Sequence, residues 1–187
     1  MLNAGGDVKV GLSSSLNLDL TINPDFSQAE ADAQQINLDR FSLYFPERRN
    51  FFIENNDLFS NFGFSRIRPF FSRRIGIAKD LNGNSIENGI VAGARLSGKL
   101  NNNLRLGILS VQTEEDIANQ IPATNNSVIA IQQKLFSRSN ISFLLINKQA
   151  TKDYSFLAKE DEFNRVIGID YNLASKDNTW NGRYFIH

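Results

Sequence analysis

Strict alternation of apolar and polar residues, repeated in one segment after another, constrains this chain more than any other feature. Residues 16–22 place Leu16, Leu18, Leu20 and Ile22 on one side and Asn17, Asp19 and Thr21 on the other. Side chains of an extended strand alternate between faces, so a period of two marks a strand with one apolar face. Residues 8–12, with Val8, Val10 and Leu12 against Lys9 and Gly11, pair with it across Ser13 to Ser15 as a first hairpin. Residues 89–100 alternate again, Ile90, Ala92, Ala94, Leu96 and Leu100 against Gly93, Arg95, Ser97 and Lys99. Three asparagines, Asn101 to Asn103, then supply turn chemistry into a strand over 104–113, since asparagine tolerates left-handed backbone. Further strands are expected at about 127–135, 141–149, 163–174 and 179–187, and another at 70–76, for about nine in all.

No pattern long enough for a three-turn helix occurs outside residues 23–59, which argues against alternating strands and helices with a parallel sheet. The expected fold class is all-β: an antiparallel up-and-down sheet, part of a transmembrane β-barrel, carrying an irregular, short-helical, plug-like insert. The connections favour the barrel because they alternate, short at 101–103, 136–140 and 175–178 and long at 114–126 and 150–162. Outer-membrane barrels have tight turns on one rim and longer polar loops on the other. The strands are also close to the roughly 9 to 11 residues that cross a bilayer obliquely. A soluble antiparallel sandwich shows the same alternation with uneven hairpins, and stays open as the alternative.

Composition removes several function classes. Twenty basic residues balance twenty acidic ones, so no overall field favours nucleic acid. Cysteine is absent and the one histidine is His187, which leaves no thiolate ligand, disulfide or histidine-based triad. The longest aliphatic or aromatic run, Phe143 to Ile146, is far below the roughly 20 residues of a spanning helix, so any membrane crossing uses strands. No signal peptide is visible in MLNAGGDVKV and the far end, TWNGRYFIH, reads as a strand without a closing turn. The whole is therefore expected to be one partial barrel domain, 1–187, a fragment of a longer protein, with an insert at 23–69.

Residues 23–59, NPDFSQAEADAQQINLDRFSLYFPERRNFFIENNDLF, follow neither period. Asp32 with Gln35 resembles a capping box opening a short helix through Asp39 to Tyr44, which Pro46 ends. A strand count that includes 70–76 ends on the wrong side for the turn at 101–103, and is repaired if 23–69 cross the lumen from one rim to the other. This segment, followed by PFFSRRIG, GARLSGKL and LGILSVQT, resembles a family of bacterial outer-membrane β-barrel proteins of unknown function. Members usually follow a module similar to family 9 carbohydrate-binding domains. The likeness covers at least residues 1–113, and departs from the family pattern at Arg48, where lysine is more usual, and at Asn50, where proline is. It implies a place in the cell outer membrane, lipid as a partner, and carbohydrate as a partner only through the upstream module.

Asp25, Glu30, Asp32, Glu47, Arg48, Arg49, Glu54, Arg73 and Arg74 form the candidate polar cluster of the lumen and plug. Asp25, Glu30 and Asp32 have the oxygen chemistry of a divalent-cation site, or of an acid and base in glycoside cleavage, and equally that of turn caps paired with arginine. Arg48, Arg49, Arg73 and Arg74 suit an anion-attracting constriction, or a lattice of ion pairs with Glu47, Glu54 and Asp57 that fixes the insert. Phe51, Phe52, Phe59, Phe62, Phe64, Phe70 and Phe71 suit packing of that insert against the wall, or contact with lipid. The structural reading is preferred in each case: no catalytic residue, metal or cofactor is assigned. The expected role is a non-enzymatic outer-membrane protein in surface binding or transport linked to carbohydrate use. The rival is a secreted soluble β-sandwich module of a carbohydrate-active enzyme.

Overall fold

Eight strands form one antiparallel meander in a computed structural model that describes residues 4–24, 47–64 and 67–187. They are β1 (Gly6–Ser13), β2 (Leu16–Ile22), β5 (Ile90–Lys99), β6 (Leu104–Thr113), β7 (Thr124–Leu135), β8 (Ser139–Ala150), β9 (Phe163–Ala174) and β10 (Asn181–Ile186). Between β2 and β5 the described chain makes two one-turn helices, α1 (Asn50–Ile53) and α2 (Asp57–Ser60), and a small separate hairpin, β3 (Ile77–Lys79) with β4 (Ser85–Glu87). The all-β, antiparallel expectation is met. The sheet is open, with β1 and β10 as its edges among the described residues, so no closed barrel is formed.

The tight turns at 14–15, 100–103 and 136–138 and the connection at 175–180 share one rim, while 114–123 and 151–162 share the other with the end of β2 and the start of β5. Gly98, at φ 145°, lets β5 approach the first turn: Lys99 N donates to Ser15 O at 2.7 Å, and a Cβ on Gly98 would lie 2.0 Å from that same oxygen.

Two expectations are corrected. Residues 70–76 are not a strand: Ser72–Arg74 form a single 3₁₀ turn that buries Phe70, Ser72 and Ile75, a spacing that period two cannot produce. Without that strand the parity problem vanishes. β2 and β5 are direct neighbours, Ile22 opposite Ala92, and Asn23 N donates to Val91 O at 3.0 Å, so the chain leaves and re-enters the sheet at one rim instead of crossing to the other. The anticipated helix over Asp32 to Tyr44 lies outside the described residues.

Register turns the alternation into two distinct faces. On the outer face one row runs Val10, Leu18, Leu96, Ile108, Ile129, Leu145, Ile167, apolar across seven strands. The next runs Leu106, Ile131, Phe143, Ile169, Ile186. Toward the long-loop rim the row through Ser110, Ser127, Asn147 and Arg165 is polar. A shift in register between Ile90 and Ala92 removes Ile90 from the outer face: it is 1% exposed, within the cluster under the insert.

The inner face carries the core. Phe52, Leu58, Phe59, Phe62, Phe70 and Ile75 from the insert pack on Ile90, Leu109, Val111, Val128, Ala130 and Leu144. Small residues make the room: a Cβ at Gly107 would come within 2.6 Å of the Phe59 ring, and one at Gly93 within 3.0 Å of Phe51. Phe64 stays exposed and Phe71 is half-buried, so the phenylalanines do not act as one set.

Candidate functional site

Polar side chains at the inward positions of the strands hold the insert down. Arg95, on β5 between Gly93 and Ser97, is 1% exposed; its Nη2 donates to Asp19 Oδ2 on β2 at 2.9 Å and its Nη1 to the Glu54 carbonyl at 2.8 Å. Glu54 lies in the turn between α1 and α2. Its carboxylate meets Lys9 of β1 and accepts from Asn17 Nδ2 at 2.6 Å. Three adjacent strands therefore converge on one turn of the insert. A buried guanidinium needs its charge and most of its donors met, and here a carboxylate and a carbonyl meet two nitrogens while Nε has no partner among the described residues.

Two further clamps follow the same logic. Arg105 of β6 donates to both Asp57 oxygens, at 2.6 and 3.0 Å, in the fork geometry that favours arginine over lysine. Asp57 opens α2, where a negative side chain also suits the free N–H groups of a helix start. Asp170 of β9, 1% exposed, is paired with Arg183 of β10 and accepts from Gly63 N at 3.2 Å, while Arg183 Nη2 donates to Asn61 O at 2.5 Å.

The insert is also tied to itself. Arg49 Nε and Nη2 donate to the two Glu47 oxygens at 2.9 and 2.8 Å, and its Nη1 and Nη2 reach Ile75 O and Ser72 O at 2.7 and 2.8 Å. Ser72 Oγ donates to Glu47 Oε2 at 2.6 Å. Burial alone would push the Glu47 carboxyl up, but the hydrogen bonds and charge of Arg49, with the Ser72 hydroxyl, hold it below its ordinary 4.5. Stability from such a group is present above the unfolded value and lost as pH falls through the lower folded one. Glu47→Gln is expected to cost about 1–3 kcal/mol near neutral pH. The gap in Tm between wild type and Glu47→Gln should narrow once pH drops below 4.5; a gap that widens there contradicts the clamp.

The family model described as domain of unknown function DUF5916 matches residues 1–186. The chain belongs to that family. No curated protein and no solved structure matches it. Membership bears out the expectation of a family of unknown function, and says nothing by itself of a barrel or of an upstream sugar-binding module.

In this DUF5916 domain the residues singled out from sequence do not form one cluster. Asp25, Glu30 and Asp32 lie outside the described residues. Glu47 and Arg49 clamp the start of α1 to the 72–75 turn, Glu54 faces β1, β2 and β5, and Arg48 is exposed. Arg73 is half-buried and Arg74 exposed, on the far side of the insert from Glu54 toward the long-loop rim. Sequence reading missed Asp19, Arg95, Arg105, Asp170 and Arg183 as site residues. Their signal was present: each is a charge at an inward position of an otherwise regular strand, where a buried charge needs a partner.

A polar cleft of about 330 Å³ opens beside these clamps, with Asp57, Gln132, Asn140, Ser142, Asn172 and the Asp170–Arg183 pair in its wall. Among the described residues no three acidic or histidine side chains gather where a metal ion would sit.

Proposed function

We propose that this domain is a segment of an outer-membrane β-barrel, non-enzymatic, with its outer face on lipid and its insert held inside, serving surface binding or transport. One observation carries the reading: the outer face has uninterrupted apolar rows, with Ile167 59% and Ile169 45% exposed, while the opposite face mixes apolar core residues with paired charges and is covered by the insert. An exposed apolar area of this extent on a water-soluble monomer is unusual. Among the described residues no second sheet covers it, as a sandwich would require. Trp180, Tyr184 and Phe136 sit near the tight-turn rim, where interfacial aromatics belong. Carbohydrate enters the proposal only through a module upstream of these residues.

The test uses the full-length protein. Ile169→Lys, in the middle of an apolar row, is expected to lower the stability of the inserted form by about 2–4 kcal/mol. Asn172→Lys, on the inner face of the same strand, should be tolerated. A full-length protein that stays monomeric and monodisperse without detergent would refute the membrane assignment and favour the soluble sandwich module.

A further inference from the structure

Lys79 and Lys148 differ from four cations that fasten the insert to the sheet. Lys9, Arg95, Arg105 and Arg183 each meet a carboxylate. Lys148 projects from the inner face of β8, opposite Asn126 of β7, and Lys79 ends β3 on the insert. Neither has a carboxylate partner among the described residues, yet both line one cleft of about 250 Å³ at the long-loop rim. Arg74, which has an interaction of its own, lines it as well, and among the described residues the lining contains no aspartate or glutamate. Asp80, the acid next to Lys79, is turned away into its own loop, accepting from Asn82 N and Asn84 N at 2.9 and 2.7 Å.

Placing the ammonium groups of Lys79 and Lys148 around one cavity, with no acid in its described lining, is unfavourable in the empty protein and favourable around an anion. We propose that this cleft binds a small soluble polyanion of the phosphate class. The ammonium groups of Lys79 and Lys148 supply the charge, and Asn88, Gln120 and Asn126, also in the lining, supply neutral donors. The floor is Thr113 and Thr124, whose hydroxyls are 3.0 Å apart and engaged with each other. The cleft opens on the inner side of the sheet, away from the apolar rows, which favours a free anion over a lipid headgroup. This inference does not depend on whether the sheet lies in a bilayer.

Titration calorimetry of the full chain with inorganic pyrophosphate at low ionic strength tests it. Saturable binding at one site is expected, weakened about tenfold by either Lys79→Gln or Lys148→Gln and about a hundredfold by both together. Both side chains are exposed, so the variants should keep the wild-type Tm. Lys99→Gln with Lys134→Gln, two exposed lysines at the opposite rim, removes the same charge and should leave binding unchanged. Absence of wild-type binding, or equal loss in that control, overturns the site. A lipid role is separated by flotation with phosphatidylglycerol vesicles: if the Lys79→Gln/Lys148→Gln variant loses vesicle capture while keeping pyrophosphate affinity, the soluble-anion assignment is overturned.

Discussion

Arg95→Ala should destabilise the full chain by about 3–5 kcal/mol, the range for removing one partner of a buried ion pair. The loss is more than one contact. Arg95 holds Asp19 at 2.9 Å and the Glu54 carbonyl at 2.8 Å, and its guanidinium lies 5.6 Å from the centre of the Phe51 ring. Without it the carbonyl has no donor and the insert loses its central tether to the sheet. Among the described residues Asp19 keeps only Lys9, at 4.0 Å. A shift in the urea midpoint at constant m-value measures the effect. Hydrogen exchange across residues 50–63 supplies a second reading, because a freed insert should exchange faster while β7 to β9 stay protected. Replacing the pair together, as Arg95→Met with Asp19→Leu, should recover much of the stability but not all, since the Glu54 carbonyl remains unmet. A cost below about 1 kcal/mol for Arg95→Ala, as for an exposed pair, would show that the guanidinium is solvated and not a clamp.

Phe59→Ala is the second large effect, expected at about 3–5 kcal/mol for a buried aromatic cut to a methyl. Phe59 is 2% exposed, packs on Gly107 and lies 6.3 Å from the Phe70 ring centre. The fit between ring and glycine makes a sharper test than the single substitution. Gly107→Val alone should cost about 1–3 kcal/mol by overpacking, because its Cβ would stand 2.6 Å from the ring. In a Phe59→Ala background the valine enters vacated space, so the two costs should sum to more than the double variant shows. Strict additivity would mean that α2 does not rest on that strand.

Much of the fold was legible because a strand reports its own environment. Residues 163–174 alternate so regularly that their bounds and outward set of Ile167, Ile169 and Tyr171 follow from pattern alone. The tight-turn rim was legible as well, since asparagine runs and short connections mark it. Where the reading failed, local pattern was overridden by packing. Phe70 to Gly76 has the composition of a strand but buries its residues in a 3₁₀ turn beneath the insert. Ile90 keeps apparent phase with Ala92, yet the irregularity between them sends it inward.

The candidate site was legible in kind but not in membership. Glu47 and Arg49 tie the insert to itself and Glu54 ties it to the sheet, yet the strand partners of Glu54, Lys9, Asn17 and Arg95, are legible only as the polar side of an alternation. Period two by itself determined that this chain makes an antiparallel meander with two distinct faces, one of them continuously apolar, because each side chain's direction follows from its parity along the strand. Which arginine meets which carboxylate, that the insert returns to its own rim, and that Lys79 joins Lys148 around one cleft were decided only by tertiary structure. Those pairings join residues up to 122 positions apart, as for Asn61 and Arg183. No local rule encodes such distances; they follow from register across several strands and from where the phenylalanines of the insert find glycines to rest on.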